Sequence, residues 1–142
     1  MTVVLDTNVL VSGIINPFGP PGRIVDLVRE GQLILAVDDR ILSEYRDVLR
    51  RPSLGKYLNL RDIDYMLDYV SMDSVYVIAT VNIHDFPDAN DAMFLEVALT
   101  ANVPIITGNS RHFPPELCQG CKILTPSNFF ASFTQEDLPR PE

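Results

Sequence analysis

The chain has 142 residues, of which 46% are hydrophobic, and this supplies enough apolar material for the core of one domain. The formal net charge of −8 excludes a broad basic surface that would capture nucleic acid by electrostatics alone. Cations held in an acidic pocket could still supply positive charge locally. No apolar run is long enough to span a membrane, and residues 1–6 lack the basic start of a signal peptide, so we expect a cytoplasmic protein.

The elements predicted along the chain alternate between strands and helices. Residues 2–5 form an apolar run typical of a buried parallel strand, and Asp6 follows it directly. Helices are predicted over 9–15 and 23–30, separated by a loop rich in proline and glycine over 16–22. The later strands are predicted over 33–37, 75–79, 103–107 and 122–124, and the later helices over 38–51, 60–70 and 88–100. This alternation predicts an α/β fold with an open parallel sheet.

Two short features lie outside this alternation. Residues 134–142 are polar and contain prolines, so we assign a single domain to 1–133 and expect a flexible tail after it. Cys118 and Cys121 form a Cys-x-x-Cys pair, which by itself is half of a zinc site or a redox motif. Because neither cysteines nor histidines supply a second ligand pair, we interpret these two as reduced loop thiols.

Acidic residues are predicted to gather at one edge of the sheet. Parallel α/β sheets bind ligands beyond the carboxyl ends of their strands. Asp6 ends the first strand, Glu44 lies within two turns of the start of the helix after the second strand, and Asn109 follows the fourth strand. Asp88 and Asp91 open a helix that runs antiparallel to the strands, so its start lies at the same edge.

The direction in which two of these acidic side chains point is also predicted. Asp91 shares a helical face with apolar residues four and seven positions later, and Glu44 borders the apolar stripe of its own helix. Arg46, Arg50 and Arg51 are predicted to project from other faces, which leaves no cation at this edge. Inward carboxylates are costly unless they are paired or bind a metal, and Mg²⁺ or Mn²⁺ suits such oxygen ligands. Metal-held carboxylates that activate water suit phosphodiester cleavage.

Structural roles for the same acids stay open at this point. Asp6 could cap the first helix, and Glu44 could be an acid on a solvated helix face. Asp88 and Asp91 both lie where helix capping and dipole compensation favour acids. We favour capping for Asp88 and metal binding for Asp91, whereas Asn109 could shape a turn or belong to the site.

Other residues near the end of the chain carry weaker hypotheses. His112 could be a general base, but it lies past the acidic segments in a loop. Arg111 could contact a substrate phosphate. The pair Phe129 and Phe130 is interpreted as a core or dimer contact rather than a platform for stacking bases.

Four segments of the chain together match a known pattern. They are V-L-D-T-N-V-L over 4–10, I-L-S-E-Y over 41–45, D-A-N-D-A-M-F-L-E over 88–96 and I-I-T-G-N over 105–109. In order and spacing this set resembles the four motifs of PIN domains, in particular the VapC-like group of toxin components. The resemblance covers about residues 2–133.

The resemblance implies a three-layer α/β fold with strand order 3-2-1-4-5, dependence on Mg²⁺ or Mn²⁺, and endonucleolytic cleavage of RNA. It also implies two partners, because toxin members pair with a small antitoxin protein and many form homodimers. Carried over by motif, the site comprises the metal-binding acids Asp6, Glu44 and Asp91, the auxiliary Asp88, the assisting Asn109, and the orienting residues Asn8 and Thr107.

The chain departs from many PIN domains at Asn109, where an acid is common. Because asparagine adds no charge, we expect one tightly held metal ion rather than two. The same departure leaves open a catalytically weak or inactive PIN module that binds a protein or RNA. A phosphotransfer domain with Asp6 as nucleophile is a further alternative, disfavoured because Thr7 and Asn8 follow Asp6 where further acids are usual.

Overall fold

The fold is built around a five-stranded parallel sheet. The structure is a computed structural model that describes residues 1–133, and the tail predicted over 134–142 lies outside the described residues. The strands are β1 (Thr2–Leu5), β2 (Ile34–Val37), β3 (Val75–Tyr76), β4 (Ile105–Ile106) and β5 (Ile123–Leu124). Their order is β3-β2-β1-β4-β5, and each neighbouring pair is parallel. The predicted α/β class and strand order are therefore confirmed.

Six α-helices flank the sheet within the described part of the chain. They are α1 (Thr7–Ile15), α2 (Pro20–Arg29), α3 (Asp39–Leu49), α4 (Leu60–Asp73), α5 (Ala89–Ala101) and α6 (Pro126–Ser132). α2 packs against α1 and α6, whereas α3 packs against α4 and α5. No helix within residues 1–133 is both long enough and apolar enough to cross a membrane.

β1 lies at the centre of the sheet and pairs with β2 on one side and β4 on the other. Its residues 3–5 are completely buried, as expected for a parallel strand covered on both faces. Burying each Val or Leu side chain contributes about 1.5–3 kcal/mol. This burial holds the end of β1 in place, and Asp6 is the next residue.

Several boundaries differ from the predictions. α2 begins at Pro20 rather than Arg23, because proline at the first helical position has a suitable φ and its missing N–H would be unpaired there anyway. β3 and β4 are shorter than the predicted 75–79 and 103–107. β4 pairs with β1 at two positions only, and β3 pairs with β2 at two positions only.

α6 is a helix that the sequence analysis does not predict. Thr125 caps it by accepting the N–H of Asn128 at 3.1 Å, and Pro126 opens its first turn. These start signals are visible in the sequence, but a helix of seven residues is too short to show a clear apolar periodicity. The side chain of Phe129 on α6 is completely buried, in agreement with its interpretation as a core residue.

Cys118 and Cys121 are both free thiols, as expected. Burial, followed by the neighbouring Cys118, raises the pKa of Cys121 to about 11. A thiol that stays protonated at neutral pH is a poor nucleophile and a poor metal ligand.

Two glycines allow close approaches around α2. A Cβ atom at Gly13 would lie 2.5 Å from the carbonyl oxygen of Pro21 on α2, and one at Gly22 would lie 2.2 Å from that of Pro17 in the loop between α1 and α2. Both contacts are with backbone, which cannot move aside without shifting a helix or the loop. The packing of α1 on α2 therefore depends on Gly13, and the path of the loop depends on Gly22.

We predict that Gly13→Ala lowers the free energy of unfolding by about 1–3 kcal/mol, because the added methyl group overpacks the contact with α2. Urea unfolding monitored by circular dichroism measures this change. Ser12→Ala, at an exposed position of the same helix, is the control and should change stability by less than about 0.5 kcal/mol. Equal midpoints for Gly13→Ala and the wild type would contradict the close packing of the two helices.

Candidate functional site

An open cleft of about 480 Å³ lies at the carboxyl edge of the central strands. Four acids line it, and they come from the end of β1 (Asp6), from α3 (Glu44) and from the start of α5 (Asp88 and Asp91). Asn8 lines the same cleft. The structure thus brings together five of the residues singled out from the sequence.

Asp6 is held inside the cleft by the two central strands. Its side chain is almost completely buried, and its N–H donates to the carbonyl oxygen of Ile106 at 2.9 Å. The carboxylate accepts the hydroxyl of Thr107 at 2.7 Å and makes no capping hydrogen bond to α1. Burial raises the pKa of Asp6, and the hydrogen bond from Thr107 opposes that rise. Backbone N–H groups of Thr7 and Asn8 also lower the pKa of Asp6, but the buried hydrogen bond from Thr107 is not a helix cap, so capping alone does not account for this side chain.

Glu44 is positioned by α3 and by a hydroxyl group from α1. The hydroxyl of Thr7 donates to the carboxylate of Glu44 in a short hydrogen bond. The neighbouring Tyr45 is completely buried, and its hydroxyl donates to the carbonyl oxygen of Leu5 at 2.5 Å. α3 is thus joined to the end of β1 at the level of the cleft. Sequence reasoning missed the role of Thr7, although its place directly after Asp6 is a signal.

Asp91 lies in the first turn of α5 and is half-buried. Its buried Oδ2 has no hydrogen-bond partner within residues 1–133. Nδ1 of His112 lies 3.5 Å away, which is too long for a hydrogen bond. Burial, then the charges of Asp6 and Asp88, raise the pKa of Asp91 to about 6. Asp91 is therefore a carboxylate whose buried oxygen has no hydrogen-bond partner within residues 1–133, and the nearby His112 opposes the rise in its pKa only in part.

The side chains of Asp88 and Asn8 accept hydrogen bonds from backbone N–H groups. Asp88 caps α5 by accepting the N–H of Asn90 at 2.9 Å, as favoured from the sequence, and it still lines the cleft. Asn8 accepts the N–H of Gly108 at 3.3 Å and so connects α1 to the turn after β4.

Asn109 does not line the cleft itself, but it holds His112, which does. Its side-chain oxygen accepts the N–H of Arg111 at 3.2 Å, and its amide nitrogen lies 3.1 Å from Nε2 of His112. An amide N–H donated to Nε2 leaves the imidazole proton on Nδ1, the nitrogen that faces Asp91. The turn at Ser110–His112 thus brings into the cleft a residue to which the sequence analysis gave little weight.

Arg51 also lines the cleft, which corrects the prediction that it projects from another face of α3. Val48 follows Glu44 by four residues on one stripe of α3, and Arg51 lies two residues past the end of that helix. The N–H of Arg51 donates to the carbonyl oxygen of Val48 at 3.2 Å and continues the turn past the end of α3. The prediction considered only the apolar stripe of α3, and it therefore missed a polar residue that reaches the cleft from beyond the end of the helix.

The donors in the cleft are of the kind that Mg²⁺ and Mn²⁺ prefer. Carboxylate oxygens are hard ligands, and Mg²⁺ keeps several waters while one or two carboxylates hold it. Within residues 1–133, no group of three or more His, Cys, Asp or Glu side chains is arranged to hold an ion. The unpartnered oxygen of Asp91 and the neighbouring charge of Asp6 therefore fit a partly hydrated ion better than one enclosed by protein ligands.

We predict that, without divalent ions, stability decreases as the pH rises from about 4 to about 6. The pKa of Asp91 is 3.8 in the unfolded chain and about 6 in the folded protein. Between these pH values the folded state therefore binds more protons than the unfolded state. The shift in pKa corresponds to a change of at most about 3 kcal/mol in the free energy of unfolding.

Urea unfolding in EDTA at both ends of this pH range measures the change in the free energy of unfolding. Asp91→Asn should show a smaller decrease, whereas Asp47→Asn, at an exposed position of α3, should behave like the wild type. The same pH dependence in Asp91→Asn as in the wild type would contradict the repulsion.

Comparisons with known proteins bear on the identity of this site. The family model for the PIN domain matches residues 2–111. The uncharacterized protein MJ1680 of Methanocaldococcus jannaschii is 38% identical over 108 residues, which are 75% of this chain and 70% of that protein. Among solved structures, VapBC2 from Rickettsia felis, bound to a DNA fragment from their promoter, is similar with a TM-score of 0.54. That match covers 88% of this chain and 98% of the matched chain at 14% identity, so it bears on the fold alone.

The family match spans β1 to the turn after β4 and therefore includes the seven residues that the resemblance assigns to the site, whereas His112 lies one residue beyond it. The similarity to the M. jannaschii protein supports the same assignment over most of the chain. The chain belongs to the PIN domain family, whose members are generally nucleases.

Proposed function

We propose that this protein is a Mg²⁺- or Mn²⁺-dependent endoribonuclease that hydrolyses RNA phosphodiester bonds. The observation that carries the proposal is the shared cleft of Asp6, Glu44, Asp88 and Asp91, in which one buried oxygen of Asp91 has no hydrogen-bond partner among the described residues. Carboxylates gathered in this way cost free energy unless a cation neutralises them. A divalent ion held by carboxylates is also what many phosphodiesterases use.

In this proposal Asp6, Glu44 and Asp91 would hold a partly hydrated ion, one or two of them directly and the rest through its waters, because no three such side chains within residues 1–133 are arranged to hold an ion by themselves. The hydroxyl of Thr107 donates to Asp6, and that of Thr7 donates to Glu44. Each bond occupies one carboxylate oxygen and orients the other, which is how outer hydrogen bonds commonly support metal ligands.

Three further residues act on these ligands or beside them. Asp88 adds negative charge while it caps α5. Asn8 holds the turn after β4 through the N–H of Gly108. Asn109 keeps His112 beside Asp91 and so shapes the wall of the cleft.

A bound ion would assist the approach of RNA, because the net charge of −8 and the bare acids of the cleft repel phosphate. When bound, a divalent ion supplies positive charge at the scissile phosphate and lowers the pKa of a coordinated water. The protein contributes the carboxylates, their orientation and a cleft open enough to admit the backbone.

We predict that the purified protein cuts single-stranded or structured RNA in Mn²⁺ and cuts neither in EDTA. Asp6→Asn should lower the rate by about 100-fold or more, because it removes a charge that holds the ion. Asp47→Asn, an exposed acid of α3, is the control and should cut at the wild-type rate. No cleavage by the wild type in Mn²⁺, or full cleavage by Asp6→Asn, would remove the assignment.

A catalytically weak or inactive PIN module that binds RNA or protein is the second candidate. It is favoured by the lack of a closed three-residue metal group within residues 1–133. The same experiment separates the two, because such a module would bind RNA without metal-dependent cutting.

We further propose a small antitoxin protein as a partner and a homodimer as the assembly. The structural neighbour is a VapBC complex, and the acidic cleft would attract a basic side chain from a partner of that kind. Light scattering measures whether two copies associate.

We predict that a short synthetic peptide bearing an arginine, as a stand-in for the tail of an antitoxin, weakens Mn²⁺ binding measured by calorimetry, because the arginine occupies the acidic cleft. The same peptide with glutamine in place of arginine is the control and should have no effect. Equal Mn²⁺ affinity with and without the arginine peptide would argue against this mode of inhibition.

A further inference from the structure

The cleft carries opposite charges at two separate places. Its acids include Asp6, Glu44 and Asp91, and Arg51 lines another part of its wall. Arg51 lies just past the C-terminal end of α3, whereas Glu44 lies within that helix. Because Arg51 forms no ion pair with these acids among the described residues, its positive charge is separate from them.

The guanidinium of Arg51 has no partner within residues 1–133. It is exposed and forms neither an ion pair nor a side-chain hydrogen bond there, although four carboxylates line the same cleft. Two other arginines, one in α3 and one at its C-terminal end, form ion pairs with acids. Arg40 bridges Asp38 and Glu96, and Arg50 pairs with Asp64 at 2.8 Å.

The cleft is also lined by neutral residues. They include Val48, Leu54 and the hydroxyl-bearing Ser53. Such residues neither repel a phosphodiester nor compete with it for Arg51. A nucleic-acid strand with one phosphate at the acids can therefore place another phosphate at Arg51.

We propose that Arg51 binds a backbone phosphate of the RNA substrate. This phosphate neighbours, on the same RNA strand, the phosphate to be cut. This inference rests on the proposed function and adds a substrate subsite to it. A guanidinium presents a planar fork of N–H donors that matches phosphate oxygens. Since the contact is made directly by the protein, it persists when no divalent ion is bound. Since it is made to the backbone, it is the same for every base sequence.

The test uses Asp6→Asn protein, which is expected to cut RNA at least about 100-fold more slowly than the wild type, and a short fluorescent RNA without secondary structure. Binding is followed by anisotropy in EDTA over a range of salt concentrations. Adding Arg51→Ala should weaken binding about tenfold and reduce the slope of log K against log salt by about 0.7, the value for one phosphate contact on a single strand. Arg51→Lys should keep most of that slope because the charge remains.

Arg50→Ala is the matched control. It removes the same charge one residue earlier in the chain, but that guanidinium pairs with Asp64 and does not line the cleft. Its RNA affinity should stay within about twofold, because an exposed ion pair contributes little. Urea midpoints of all variants confirm that they are folded.

Unchanged affinity and salt slope in Arg51→Ala, equal losses in Arg51→Ala and Arg50→Ala, or no measurable binding at low salt would each overturn the subsite. In a background that cuts RNA, Arg51→Ala should raise KM with little change in kcat, because the contact lies away from the reacting atoms. If the wild type cuts no RNA but the effect of Arg51 on binding is present, the subsite stands and the nuclease proposal fails. If the wild type cuts RNA and Arg51→Ala has no effect on binding, the nuclease proposal stands and the subsite fails.

Discussion

Repulsion among the carboxylates of Asp6, Glu44 and Asp91 is the constraint on which the rest of the site depends. The three residues come from the end of β1, from α3 and from α5, and burial strengthens their interaction by removing water. Its effect is clearest at Asp91, where burial and then the charge of Asp6 raise the pKa to about 6. The apolar strand before Asp6 offsets part of this cost, because residues 3–5 are completely buried.

The acids are oriented by neutral groups instead of cations. Thr107, at the end of β4, donates to Asp6, and Thr7, at the start of α1, donates to Glu44. A lysine or arginine in either place would neutralise the acids and would compete with a divalent ion for them. With hydroxyl groups the geometry is held while the negative charge is kept. The one arginine that lines the cleft within the described residues, Arg51, forms no ion pair with these acids.

Much of the fold follows from local patterns in the sequence. Residues 2–5 are apolar because a central parallel strand is buried on both faces, and that alone predicts β1 and places Asp6 at its carboxyl end. Alternating strands and helices then bring the starts of α3 and α5 to the same edge, so the convergence of Glu44, Asp88 and Asp91 could also be predicted. The order of the strands came from the resemblance to PIN domains, since spacing does not encode which strands pair.

By itself, then, the sequence determined the central strand, the alternation of elements and the edge at which the acids meet, because these depend on burial and chain direction. The tertiary structure decided which side chains touch. The bond from Thr7 to Glu44 joins positions 37 residues apart, and that from Thr107 to Asp6 joins positions 101 apart. Such contacts depend on how helices pack across the sheet, which no local periodicity specifies. For the same reason only the packed chain showed that Arg51 shares the cleft with the acids.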